Sequence, residues 1–274
     1  MNFFEKIVHF FSAEMTTPTN FGVWHIVSLI LVIGLTIFLC IKFKDCKDKT
    51  FRRIILISWI VILVLEIYKQ IVFSFDWDGH TVTWDYEWYA FPFQLCSTPL
   101  YLLPFVVFLK EGKVRDSIMS FLATFAFFGG LATMIYPNNV YISTIGINIQ
   151  TMVHHGSQVV LGIFIFVYNR KKFNIKFFLL GIIPYVILVA IAMLSNLAMY
   201  HIINETFNMF YISPYYECVL PLLCDIQKSV PYVVFLLIYV IGFVAVACIM
   251  YFIMFGIYKL CLKLRKNKNE KQTA

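Results

Sequence analysis

Cys96 and His154 are the two residues of this chain best suited to covalent chemistry. A thiol becomes a strong nucleophile as the thiolate, and a neighbouring imidazole can take its proton. A cysteine in an apolar segment is ordinarily a small packing residue, so its reading depends on its surroundings. Cys96 stands in Phe93-Gln94-Leu95-Cys96-Ser97. Gln150, His154, Ser157 and Gln158 recur at intervals of three and four and share a helix face, whereas the adjacent His155 points about 100° away. Glu66, Lys69 and Gln70 share a face in the same way. A Glu–Lys pair neutralises itself in lipid, so it reads as a structural lock or a substrate-positioning pair; a proton or ion relay is the alternative. The His154-His155 pair lacks the i, i+4 spacing of an H-E-x-x-H zinc site, so neither a metal nor another cofactor is assigned.

The elements that must hold these residues are membrane helices. The chain is 61% hydrophobic and 14% charged, with a mean hydropathy of +0.80. Soluble domains carry roughly 25% charged residues. A membrane helix needs about 20 apolar residues, and seven runs qualify: Phe21–Ile41, Ile54–Phe75, Ala90–Leu109, Ser117–Tyr136, Ile149–Tyr168, Phe177–Ile203 and Val230–Leu260. Backbone groups in lipid must pair internally, so the fold class is all-α and polytopic, with seven transmembrane helices in one domain spanning residues 1–274.

Charge orients the bundle. Of 22 Lys and Arg residues, all but Lys6, Lys69 and Lys228 fall in the connectors 42–53, 110–115 and 170–176 or in the tail from Lys259 onward. By the positive-inside rule these segments are cytoplasmic, which puts the N-terminus outside and the C-terminus, with its basic tail 261–274, inside. The net charge of +7 therefore sits at membrane edges and does not form a nucleic-acid face. The first 14 residues place Phe3, Phe4, Ile7, Val8 and Phe11 at helical spacing; this is an amphipathic helix lying on the outer membrane surface or packed on the bundle.

In this topology Cys96, His154 and His25 lie roughly 6–9 Å below the outer ends of their spans, and Glu66 roughly 13 Å below. Lys69, Gln94, Gln150, His155, Gln158 and Asn196 share that outer half, and the inner half holds almost nothing comparable. One polar pocket open to the outer leaflet explains the pattern; unrelated interhelical hydrogen bonds are the alternative. The last external loop, 204–229, is expected to fold back as a cap, broken by Pro214 and Pro221. It holds Cys218 and Cys224, whose spacing permits a disulfide, and a formal Asn204-Glu205-Thr206 sequon.

The order of landmarks resembles the family of heptahelical membrane proteins that includes the bacterial YwaF proteins and the acyltransferase transmembrane protein 164. The landmarks are Glu66-x-x-Lys69, Phe93-Gln94-Leu95-Cys96-Ser97, Gly129-Gly130, Tyr136-Pro137, His154-His155 and Asn208-x-x-Tyr211. The resemblance implies acyl transfer between phospholipids and lysophospholipids in a bacterial plasma membrane, with Cys96 as nucleophile and His154 as base. Gln94, Gln150 and Gln158 are then possible oxyanion donors. His155, Glu66, Lys69, Asn208, Tyr211 and His25 are possible supporting or head-group residues. Lipid ester hydrolysis at the same site is the nearest competitor. A transporter would need a polar path through the inner half, where the sequence offers none.

Overall fold

The computed structural model describes residues 2–138, 140–203 and 205–273, with side chains through Leu264. Asn204 of the sequon and the side chains of the tail from Arg265 onward therefore lie outside the described residues. The chain is mostly helical, and six helices are long and apolar enough to cross a membrane. In chain order they are α2 (Val23–Lys42), α3 (Asp48–Val72), α5–α6 (Lys113–Phe121 and Phe127–Ile135, joined by a π turn at Leu122–Ala126), α7 (Ile145–Asn169), α8–α9 (Ile175–Leu180 and Ile182–Tyr200) and α11 (Tyr232–Thr273). Helix α7 is central: it packs against α2, α3, α6 and the π turn, and most of its length is buried.

The run expected as a continuous span over Ala90–Leu109 is different. A 3-10 turn at Trp88–Ala90 gives way to extended chain at Phe91–Gln94, a second 3-10 turn at Leu95–Ser97, and only then α4 (Thr98–Phe108). Proline causes the break. Pro92 holds Phe91 extended (ψ 131), and Pro99 sits where a helix begins, its missing N–H costing nothing. Cys96 is therefore in the first turn of a short apolar helix, not partway down a long one. The sixth span is present as Ile175–Tyr200, with a break at Gly181. Pro184 cannot donate to the Leu180 carbonyl, and the Ser117 hydroxyl donates to it instead at 2.7 Å.

The two ends of the bundle differ in chemistry. At one end the basic connectors meet. Asp48 accepts from Arg52 at 2.5 Å and from the buried Arg115 at 2.7 Å. Arg52 also donates to the Val107 carbonyl, and Arg115 to that of Val106 at 3.0 Å, which ties the end of α4 to the start of α3. Arg170 donates to Lys44 O at 2.7 Å and to Asp45, whose carboxyl it holds below the usual carboxylate range.

The other end carries the aromatic segments. Helix α1 (Phe3–Phe11), closed by a capping box between Asn2 and Glu5, packs on α3 through Phe11 and Tyr68 while leaving Phe3 and Phe10 exposed. It is thus both attached to the bundle and amphipathic. The all-helical expectation also misses a two-stranded antiparallel hairpin here, β1 (Phe75–Trp77) and β2 (Val82–Trp84). Its turn uses Asp78, which accepts the His80 and Thr81 amides, and Gly79 at φ +92.

Candidate active site

The stripe predicted on α7 is present and buried. His154 Nε2 lies 2.8 Å from the backbone oxygen of Cys96, and Gln158 Nε2 donates to the same oxygen at 2.8 Å. A carbonyl only accepts, so Nε2 carries the imidazole hydrogen and Nδ1 holds the free lone pair. Nδ1 is buried and has no hydrogen-bond partner among the described residues, and neither has Gln158 Oε1. His154 and Cys96 are thus brought together, but through the cysteine's main chain and not through its sulfur. Cys96 is a free, partly exposed thiol. His155, at 5.2 Å from His154 between ring centroids, turns away and spends Nδ1 on the Thr151 carbonyl of its own helix.

Close helix approach sets the position of Gln158. A Cβ placed on Gly130 would lie 2.5 Å from Gln158 Cβ and 2.7 Å from the His155 carbonyl. Only glycine lets α6 reach α7 at this turn. The π turn that precedes α6 is fully buried against α7 and α11. Such turns within helices frequently occur at functional sites.

The predicted Glu66 face exists and is larger than the sequence indicated. Glu66 is 3% exposed. Its carboxylate accepts from Lys69 at 3.1 Å, Gln70 at 2.7 Å and, across to α7, Gln150 at 3.4 Å. Gln70 also donates to Ala90 O at 3.1 Å and accepts from the Tyr86 hydroxyl at 2.7 Å. The network joins α3 and α7 to the loop entering the Cys96 turn. Sequence reasoning placed Gln70 on this face but did not foresee that it and Tyr86 would hold that loop. Paired aromatics in a segment of interfacial type gave no sign of the contact.

The 205–222 segment folds into the bundle, as expected of a cap. Gln94, two residues before Cys96, donates to Asn208 O at 2.9 Å and accepts from Phe210 N at 2.8 Å. Asn196 on α9 pairs with both backbone groups of Met209, at 2.9 and 2.7 Å. Asn208 turns inward on the loop, bonding Ser213 N and Glu217 O. Its role here is to shape the cap. Phe207, Met209, Phe210 and Ile212 are buried. The bond allowed by spacing between Cys218 and Cys224 is not formed; both are free thiols.

His25 has a separate use. Its Nδ1 accepts from Phe21 N at 2.9 Å and its Nε2 meets Met134 O at 2.8 Å, so both ring nitrogens are spent on fastening α2 to α6.

These features define an integral membrane protein of helical type whose buried His–Gln stripe grips the turn carrying one partly exposed cysteine, under an inserted loop. The chain belongs to the TMEM164 family, whose model matches residues 20–255, in agreement with the resemblance drawn from the landmarks. No curated protein and no solved structure matches it.

Proposed function

We propose that this chain is a membrane-embedded acyltransferase that moves a fatty acyl chain between phospholipids and lysophospholipids through an acyl-cysteine. One observation carries the reading: a buried imidazole is held against the nucleophile's own backbone with its basic nitrogen unspent. Family membership supports a membrane protein of this kind. In the proposed topology α4 and its preceding turns complete a seventh crossing, with the N-terminus outside the plasma membrane of a bacterium and the basic end cytoplasmic. The site then faces the outer leaflet at the depth of lipid ester groups.

In the reaction, rotation of the Cys96 side chain brings Sγ to Nδ1 of His154. Catalytic hydrogen bonds are often long before substrate arrives and tighten in the complex. Nδ1 takes the thiol proton and the thiolate attacks the ester carbonyl carbon. Collapse expels the lysolipid oxygen, which leaves with the proton held by His154. A second lysolipid then gives its hydroxyl proton to His154 and attacks the thioester; the thiolate departs and takes that proton back from His154. The Cys96 carbonyl, doubly bonded by His154 and Gln158, stays fixed through both halves. Cap residues exclude water from the thioester, which favours transfer over hydrolysis.

The test is acyl exchange by the purified protein in vesicles holding a labelled diacyl phospholipid and a lysophospholipid. Cys96→Ala is expected to abolish exchange, and His154→Ala to slow acylation of Cys96 by about 100-fold or more. Full exchange by Cys96→Ala removes the mechanism. Free fatty acid released at the same rate with and without lysolipid assigns the site to hydrolysis instead.

A further inference from the structure

The reaction proposed above needs a hydrogen-bond donor at the oxygen that becomes negative when Sγ attacks. Three glutamines were possible donors on sequence grounds, and each amide nitrogen already makes a bond that fixes its side chain away from free rotation. Gln94 bonds Asn208 O, Gln150 bonds Glu66, and Gln158 bonds the Cys96 carbonyl. Moving any of them would undo the cap, the α3–α7 link or the grip on the nucleophile's turn.

Tyr211 is an uncommitted donor among the described residues, and the cap loop carries it. The cap delivers it to this place by specific contacts. Gln94 and Cys96 belong to one turn, closed by Ser97 N donating to Gln94 O at 2.8 Å. Gln94 in turn binds Asn208 and Phe210, and the Phe93 and Phe210 rings meet at 5.8 Å. Tyr211 is the next residue. Its hydroxyl makes no hydrogen bond among the described residues, whereas Tyr68, Tyr86, Tyr101 and Tyr232 spend theirs on protein groups; the Tyr185 hydroxyl is also unpaired, on a ring stacked against Phe125 and Phe243 in the core. The phenol is within electrostatic range of both Cys96 and Cys218.

The backbone at this point is unusual. Phe210 and Tyr211 are consecutive non-glycine residues in the left-handed region, at φ 58 and 57. Side chains disfavour that region, and residues held there cluster at sites where the strain serves a purpose. Here the surrounding bonds from Gln94, Asn196 and Asn208 hold the turn in place. The turn aims two successive side chains differently: Phe210 is 1% exposed in the core, and Tyr211 is only partly buried.

We infer that Tyr211 is a catalytic residue of the acyl-transfer site, donating a hydrogen bond from its phenol to the substrate oxygen as that oxygen takes up negative charge. The inference rests on the acyl-cysteine reading. When Sγ bonds to the carbonyl carbon, the carbonyl π pair moves to oxygen, and the phenol hydrogen bonds that oxygen without leaving Tyr211. On collapse the pair returns, the C–O bond to the lysolipid breaks, and Tyr211 ends as it began. The same donor serves the tetrahedral species of the second half-reaction.

The experiment uses the full chain in detergent with p-nitrophenyl decanoate, following the burst of p-nitrophenolate that reports acylation of Cys96. Tyr211→Phe removes one oxygen that holds nothing in the fold. It is expected to slow the burst by about 100-fold to 1,000-fold, with KM changed little. Alkylation of Cys96 by N-ethylmaleimide should keep its wild-type rate, which reports an intact site. 3,5-Difluorotyrosine at position 211 keeps ring and hydroxyl and should restore the burst to within tenfold of wild type. A wild-type burst in Tyr211→Phe, with none in Cys96→Ala, overturns the Tyr211 role alone. A slow burst that difluorotyrosine fails to restore also overturns it, because the loss then belongs to the fold. A wild-type burst in Cys96→Ala instead overturns the acyl-cysteine reading beneath it.

Discussion

The imidazole of His154 is oriented by a main-chain oxygen, and that choice decides its chemistry. With Nε2 committed to Cys96 O, the free base is Nδ1. The Glu66 carboxylate plays a different part: it is buried, and three donors from two helices satisfy it. Breaking a buried ion pair from one side leaves an uncompensated charge and costs about 3–5 kcal/mol. Glu66→Gln is therefore expected to lower the thermal midpoint sharply by leaving Lys69 unpaired. The double variant Glu66→Gln with Lys69→Met should recover most of the loss, as read by fluorescence-detected melting in detergent. Equal melting of the single and double variants would mean that the pair is not a lock. Cys96, His154, Gln158, Glu66 and Lys69 were all legible as residue types at a shared depth in apolar runs. Which atom of Cys96 meets the imidazole was not, because residue spacing says nothing about whether a side chain or a carbonyl faces the neighbouring helix.

Among the elements, α7 and the segment leading into α4 matter most. Helix α7 followed directly from its periodic stripe. The broken entry to α4 was masked by hydropathy, since Phe91, Pro92 and Phe93 read as apolar while proline stops the helix. The approach of α6 to α7 depends on Gly130. Gly130→Ala is expected to force α6 outward at the His155–Gln158 turn, costing about 1–3 kcal/mol. It should reduce acyl-transfer activity more than it reduces the yield of folded protein. Normal activity together with normal melting would show that the contact relaxes at no cost. Gly129, by contrast, meets only Gln158 Oε1, at 3.8 Å, and Gly129→Ala is the natural control.

For the molecule as a whole, the division into a basic end and an aromatic end was visible in the sequence, and the structure gathers the basic connectors around Asp48 and Asp45. The proposed seven crossings make a topological prediction. In a background lacking exposed cysteines, Asp78→Cys in the hairpin turn should react with a membrane-impermeant maleimide on intact cells. Lys110→Cys, between α4 and α5, should react only after permeabilisation. Labelling of both from outside would require α4 to return to the side it came from, ending the seven-crossing arrangement.

Sequence alone was sufficient for the membrane setting, the runs of apolar residues, the charge asymmetry and the set of polar residues gathered toward one end. Those follow from solvation: lipid excludes charge and unpaired backbone groups whatever the detailed packing. Tertiary structure decided how these residues pair. It sent His25 to fasten two helices, gave three donors to Glu66, used Gln94 to hold the cap and left the Tyr211 hydroxyl of that cap without a hydrogen bond among the described residues. Those outcomes depend on contacts between residues as far apart in the chain as Gln94 and Phe210, made only when helices meet side by side. Composition records the need for such partners, and the packed bundle determines which partner each residue finds.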